Sequence, residues 1–377
     1  MESILKLVAP PIDENGKALF EPYEKDNEKT DSLMRYAPVD FSMFLLHVLD
    51  LYLTLSVSGK SVSCWETKKL LDTYLGYTEM IINDQNRFIE LLKKYRIYMD
   101  ENIIHILLKD GCHEFRFWDT AKDEKHNNEP PGDTALRQFQ SMLYVSSGEK
   151  QKWIVEAYRG YINSMDSEVP SSFIDLLKNQ DNQRHTSVTA LKYRSIDRYW
   201  FWRLDYYLWE RLTEFFDDMK SRDIAKHYVF RGNRSIEHVA PQNPKTASNV
   251  VVSDKMRDSF GNLSMISNSQ NSKLQNESFE VKRAHVEAFI NSSTSGSVES
   301  LKMLKVYVDY KAGWNDDMIR FHGDAMIRVL IDSFPKDDQY KGVRQALFDQ
   351  ISEDGKRKLP MTEGISEFSD LQRSLPQ

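Results

Sequence analysis

Apolar residues recur at helical spacing through most of this chain of 377 residues. In "NRFIELLKKYRIYMDENIIHILLK", Phe88, Leu91 and Tyr95 fall on one face of a helix. The segment "FSMFLLHVLDLYLTLSV" carries apolar residues on more than one face, as a helix buried in a core does. The spacing therefore predicts a mainly α fold. At roughly 150 residues per domain, the length predicts two or three domains.

Composition argues against several classes of protein. Two cysteines, Cys64 and Cys112, lie far apart, which disfavours a zinc ribbon or a disulfide framework and favours a reducing, cytoplasmic setting. The first residues have no signal-peptide pattern, and the apolar residues 41–57 are too few to span a membrane comfortably. The net charge of −7 argues against a generally basic nucleic-acid coat, so DNA binding requires a local site.

One segment, "ALKYRSIDRYWFWRLDYYLWERLTEFF", is dense in aromatic residues. These side chains could stack on nucleic-acid bases, or they could pack a core or a domain junction. Helical spacing favours the core. The residues are Tyr199, Trp200, Phe201, Trp202, Tyr206, Tyr207 and Trp209.

The pattern changes after this aromatic helix. "KHYVFRGNRSIEHVAPQNP" predicts a short strand, a turn and a second strand, and "FGNLSMISNSQNSKLQNESFEVKR" predicts a strand that leads into a helix. We therefore expect a small β-hairpin and helix near residues 228–290, embedded in a helical domain of residues 190–353. Residues 1–189 form a separate helical domain in this prediction, as a spacer, partner or DNA-positioning region, and residues 354–377 a flexible tail.

Glu237 and His238 stand side by side in "SIEHVAP". Histidine has the pKa of a general base near neutral pH, and a carboxylate with an amide oxygen suits a hard cation such as Mg²⁺. Asn271 could supply that amide oxygen, and Asn262 could support the loop that holds His238. Neighbours on a strand point to opposite faces, so a break in the strand would be needed to bring Glu237 and His238 together.

Each of these residues also has a plainer interpretation. A Glu-His pair at a strand end can be structural, and Asn262 can simply satisfy a turn. Asn268, Gln270 and Asn276 compete with Asn271 for the role of ligand.

The runs "SIEHVAPQ", "GNLSMISNSQNSK" and "FEVKR" together resemble the HNH (ββα-metal, or His-Me finger) nuclease fold. More narrowly they resemble the carboxy-terminal nuclease domain of GmrSD-type modification-dependent restriction endonucleases. The resemblance extends over residues 190–330, from the "LDYYLWE" segment to the spacing of Trp314, Ile319 and Arg320.

The resemblance implies specific roles for four residues. His238 matches the general base and Asn262 the catalytic bracing residue, while Glu237 and Asn271 match the metal ligands. Mg²⁺, with Mn²⁺ as a substitute, is the implied cofactor. The implied function is a DNA endonuclease of a bacterial restriction or anti-phage defence system, acting on modified foreign DNA.

The nucleotide-hydrolysing domain with a "DGQQR"-like run that usually begins such enzymes has no counterpart in this sequence. The chain is then the nuclease subunit of a split system with a nucleotide-hydrolysing partner, a truncated member or a fragment. No membrane partner is expected. Cutting both strands with one site per chain would favour a homodimer.

Several polar residues near the motif are candidates for contacts with the nucleic acid, because lysine and arginine bind phosphates without regard to sequence. A solvated surface is the plainer interpretation of each. The candidates are Lys273, Lys282, Arg283, Gln242 and Arg234.

Two other functions stay open at this point. The chain could be a DNA-binding or assembly subunit that keeps the fold without catalysis. It could also be an RNA-cleaving HNH nuclease, since the same chemistry applies to any phosphodiester.

Overall fold

Helices account for most of the structure, which is a computed structural model, as the apolar spacing predicts. The structure describes residues 34–56, 60–109, 112–117, 134–165, 172–232, 235–243, 252–274, 276–291, 298–311 and 313–358. The chain divides into two compact units, residues 1–120 and 121–377. The functional division between residues 189 and 190 stays a prediction.

The first unit combines helices with a small sheet. Its helices are α1 (Phe41–Ser56), α2 (Leu70–Leu75), α3 (Thr78–Asn83) and α4 (Gln85–Asn102), and its strands are β1 (Met34–Tyr36), β2 (His105–Lys109) and β3 (Cys112–Arg116). The strands form an antiparallel sheet in the order β1-β2-β3. Residue spacing predicted the helices of this region but not its small sheet. The run "IIHILLK" leaves helix α4 and supplies strand β2.

The second unit begins with helices that pack around one aromatic helix. The helices are α5 (Thr134–Ser146), α6 (Lys152–Met165), α7 (Phe173–Arg184), α8 (Tyr199–Glu210), α9 (Leu212–Phe215) and α10 (Met219–Lys226). Every residue of α8 from Tyr199 to Trp209 is buried. The aromatic cluster therefore packs the core, and its rings are not available to stack on bases.

The rest of the second unit surrounds a short antiparallel hairpin. Its elements are β4 (Ser235–His238), α11 (Asp254–Arg257), β5 (Leu263–Ile266), α12 (Asn268–Leu274), α13 (Phe279–Asn291), α14 (Leu301–Asp309), α15 (Asp316–Asp332), α16 (Lys341–Phe348) and α17 (Glu353–Lys358). In the register, Glu237 lies opposite Ser264 and His238 opposite Leu263. The strand predicted at the start of "KHYVFRGN" is absent from residues 228–232, which are described. Strands β4 and β5 are present, with the short helix α11 between them along the chain, and helix α12 follows β5.

The turn that leads into β5 is anchored by close backbone packing. A Cβ on Gly261 would lie 1.9 Å from the carbonyl oxygen of Ile319 in α15, and the backbones of Gly261 and Gly323 approach each other there. Lys302 of α14 holds the same turn from another side, because its Nζ donates to the carbonyl oxygens of Gly261 (3.1 Å) and Leu263 (2.7 Å). The start of β5 is therefore fixed against two helices.

A carboxylate of α8 completes this anchor. Asp205 accepts hydrogen bonds from the backbone N–H of Lys302 (2.9 Å) and from the hydroxyls of Ser300 and Tyr228. Burial raises the pKa of Asp205 to about 6 and lowers the pKa of Lys302 to about 7. Polar groups of α8 and α14 thus meet in the interior, where each needs a partner.

Among the described residues, none of the helices is both long and apolar enough to cross a membrane. The charge cluster and double proline of residues 118–134 predict a surface loop, and residues 118–133 of it lie outside the described residues. So do residues 359–377 of the predicted tail.

The close approach at Gly261 predicts a large effect of one methyl group. Gly261→Ala should lower the free energy of unfolding by about 3 kcal/mol or more, since the Cβ overlaps a backbone carbonyl that cannot move alone. Gly342→Ala is the control, because a Cβ there meets nothing within 4 Å. Urea unfolding followed by tryptophan fluorescence measures both. Equal stability of the two variants would contradict the packing described for the turn.

Candidate active site

The side chain of Asn262 joins the end of β4 to the turn before β5. Its Oδ1 accepts from the N–H of Ala240 (2.7 Å) and from Nε1 of Trp314 (2.8 Å). Its Nδ2 donates to the carbonyl oxygens of Ala240 (3.0 Å) and Arg257 (2.8 Å). The residue is fully buried, and its amide makes the contacts that a brace for the chain after His238 requires.

His238, the last residue of β4, packs into a small polar cluster. Its Nε2 lies 3.0 Å from Oδ1 of Asp258, the residue that follows α11. The amide nitrogen of Gln242 lies 3.3 Å from the same carboxylate oxygen and 3.2 Å from Nε2. Tyr193 stands edge-to-face against the imidazole, with 4.5 Å between the ring centroids.

These contacts assign the proton on the imidazole. Nε2 of His238 can either donate to Asp258 or accept from Gln242. An unprotonated Nε2 leaves His238 without a bond to Asp258, whereas if Nε2 carries the proton, His238 and Gln242 both donate to the Asp258 carboxylate. Nδ1 of His238 then carries the lone pair. Burial lowers the pKa of His238 below its ordinary 6.5, helped by the positive charges of Lys282 and Arg257 and opposed by Asp258. A neutral imidazole at neutral pH is the form that can accept a proton.

Glu237 has a different environment. Its Oε1 lies 2.6 Å from Nζ of Lys282 on α13, and both side chains are buried. The same Nζ donates to the carbonyl oxygen of His238 (2.7 Å). Burial raises the pKa of Glu237 and lowers that of Lys282, and the attraction between the two charges opposes both shifts.

Glu237 and His238 lie on opposite faces of β4, because the strand is regular through both residues. The break in strand geometry needed to bring both side chains to one side is absent. Asn271 of α12 donates from Nδ2 to the hydroxyl of Ser235 (2.6 Å), two residues before Glu237 and on the same face. The structure thus pairs Glu237 with Lys282 and His238 with Asp258, and it joins Asn271 to Ser235 on the Glu237 face of the strand.

The candidates for contacts with nucleic acid divide by exposure. Lys273 is exposed, as is Gln242, which lies beside His238. The Arg283 side chain is partly buried, pairs with Glu287 and donates to the carbonyl of Lys311. Arg234 lies outside the described residues.

Lys282 does not meet the expectation of a phosphate contact. Its side chain is fully buried and ion-paired, so its ammonium does not reach the surface. The sequence contains a pattern that indicates the burial of Lys282. Lys282 follows Phe279 by three residues and precedes Val286 by four. All three fall on one helical face, and Phe279 is buried.

Asp258 and Tyr193 are site residues that the sequence did not indicate. They come 20 residues after and 45 residues before His238, and only the fold brings them to it. Within the part of the chain that the structure describes, no group of three or more His, Cys, Asp or Glu residues could hold a metal ion. A metal at Glu237 would therefore depend on the amide of Asn271 and on water.

The comparison with protein families places this site within a known kind of domain. Residues 179–329, about two fifths of the chain, match the family described as GmrSD restriction endonucleases, C-terminal domain. This part of the chain is therefore a GmrSD-type C-terminal domain. It contains β4, β5 and every site residue named above. Neither the curated proteins nor the solved structures included a match to the chain.

The buried pair predicts a strong dependence on Lys282. Lys282→Met should lower the free energy of unfolding by about 3–5 kcal/mol, because it leaves a buried carboxylate without its countercharge. The double variant Glu237→Gln/Lys282→Met should recover most of that loss. Lys273→Met, at an exposed position, should stay within about 0.5 kcal/mol of the parent. Chemical denaturation measures all three, and a Lys282→Met protein as stable as Lys273→Met would contradict the assigned pair.

Proposed function

We propose that the chain is a metal-dependent DNA endonuclease of the HNH type. The observation that carries this proposal is the contact of the His238 imidazole with the Asp258 carboxylate, at the end of a strand that the Asn262 amide holds. Its setting in a GmrSD-type domain, whose family is named for restriction endonucleases, supports the reaction class.

His238 is the proton acceptor in this proposal. Its Nδ1 takes a proton from a water molecule as the water oxygen bonds to the phosphorus of the DNA backbone. The bond from phosphorus to the 3′ oxygen breaks, and that oxygen is protonated by solvent, leaving 5′-phosphate and 3′-hydroxyl ends. Asp258 stabilises the imidazolium that forms, since its carboxylate accepts the hydrogen bond from the Nε2–H group and carries the opposite charge.

Glu237 and Asn271 would hold the metal. One carboxylate and one amide oxygen suit Mg²⁺ or Mn²⁺, which are bound by few protein ligands and retain several waters. The ion pair of this carboxylate with Lys282 supports a position for positive charge beside Glu237. For a bound ion to stabilise negative charge on the phosphoryl group that the water attacks, the end of β4 would have to turn Glu237 and His238 toward one side. Lys282 competes for the same oxygen, so metal binding requires the ammonium to give way or to share the carboxylate.

Substrate and partners follow from the family resemblance. Restriction enzymes of this type act on modified DNA, and modified foreign DNA is the proposed substrate. A nucleotide-hydrolysing partner and a second copy for cutting both strands belong to the same proposal. So do a role in bacterial anti-phage defence and a cytoplasmic location.

One observation favours a second function, DNA binding without cleavage. The Glu237 carboxylate is buried and already neutralised by Lys282, as in a purely structural pair. A chain of this second kind would bind DNA but would not need a divalent metal.

Plasmid cleavage tests the proposed activity. With Mg²⁺ or Mn²⁺ present, the parent should nick or cut DNA, and His238→Ala should lower the rate by about 10²- to 10⁴-fold, the usual contribution of a general base. His227→Ala is the control, since His227 is exposed and also lies beside an aspartate, Asp223. The proposal fails if His238→Ala cleaves as fast as His227→Ala. Labelled RNA in parallel distinguishes an RNA-cleaving enzyme.

A further inference from the structure

A turn before helix α8 covers one side of His238. The backbone N–H of Tyr193 donates to the carbonyl oxygen of Asp258 (2.8 Å), and Lys192 forms an isolated antiparallel bridge with Ser259. The Tyr193 ring contacts the His238 imidazole. The turn of residues 192–194 is thus attached through its backbone to the segment that carries Asp258.

This turn presents two cations beside the site. Lys192 and Arg194 are both exposed, and the Arg194 guanidinium lies over the Tyr193 ring, 5.8 Å from its centroid. Among the residues that the structure describes, neither forms an ion pair. The Asp258 carboxylate instead bonds to His238 and Gln242. Both positive charges are therefore available to a ligand at this edge.

The backbone of Arg194 is unusual. Its φ is +66°, in the left-handed region that glycine adopts without strain and that a long side chain rarely occupies. An arginine at this position places a guanidinium at the edge of the site at some cost to the fold. Glycine would adopt this backbone conformation with less strain, so the presence of arginine indicates a role for the Arg194 side chain.

We propose that residues 192–194 form a phosphate-binding rim that holds the backbone of duplex DNA beside His238. This proposal rests on the proposed function and adds to it where the substrate lies. Lys192 and Arg194 contact phosphates next to the one that is cleaved, and Tyr193 keeps the rim against the imidazole. Contacts of this kind position DNA and do not read its sequence.

DNA binding by Arg194→Gly tests the rim. Binding of a fluorescein-labelled duplex is measured by anisotropy with EDTA present, so that no cleavage occurs, at several salt concentrations. Arg194→Gly should bind about tenfold more weakly at low salt, as loss of one charge-assisted hydrogen bond implies. Its slope of log K against log salt should be smaller by about 0.9, the value for one phosphate contact.

Arg194→Gly also separates binding from folding, because glycine relieves the left-handed strain. Its melting temperature should equal or exceed that of the parent while binding weakens. Arg194→Lys should keep most of the affinity. Lys336→Ala, which removes an exposed charge elsewhere in the second unit, should bind as the parent does.

Two outcomes would overturn the rim. One is an Arg194→Gly protein with the affinity and salt slope of the parent, and the other is an effect seen only on an RNA duplex. If the parent cleaves DNA but Arg194→Gly binds it normally, the rim alone fails. If the parent binds DNA through Arg194 but never cleaves it, the rim stands and the nuclease proposal fails.

Discussion

The buried ammonium of Lys282 is the interaction on which the candidate site depends. It joins helix α13 to the end of strand β4, through the Glu237 carboxylate at 2.6 Å and the His238 carbonyl oxygen at 2.7 Å. An unpaired charge in this interior would cost several kcal/mol, so the three groups stabilise one another only together. On the other strand of the hairpin, the buried Lys302 ammonium donates to the carbonyl oxygens of Gly261 and Leu263 and holds the start of β5 in a similar way.

Two interior lysines and the Asn262 amide thus fix the backbone on both sides of His238. The imidazole ring itself contacts Asp258, Gln242 and Tyr193. Asp258 and Gln242 reach solvent there, so a substrate would approach from that side. A ring on a fixed backbone, beside side chains that reach solvent, is the arrangement that proton transfer to a positioned base requires.

Much of the helical fold could be predicted from residue spacing, whereas two of the three strands predicted near the motif are present and one is not. Asn262 bonds to Ala240, in the chain after His238, and its role in catalysis stays a prediction. Strand β2 was missed because a short apolar run such as "IIHILLK" has no period that separates strand from helix. The phosphate contact predicted for Lys282 was wrong, because the prediction considered its charge and not its position on the buried face of helix α13. Asp258 and Tyr193 could not be predicted, since only tertiary folding brings them to the imidazole.

The proposed metal-dependent cleavage requires the Glu237 carboxylate, although paired with Lys282, to bind a divalent metal. Calorimetric titration of the parent and Glu237→Gln with Mn²⁺ tests it without recourse to activity, with melting temperatures to confirm that both proteins are folded. The account predicts one Mn²⁺ per chain for the parent and binding weaker by at least about tenfold for Glu237→Gln. Equal Mn²⁺ affinity in the two folded proteins, or no binding by the parent, would contradict it and leave Glu237 and Lys282 as a structural pair.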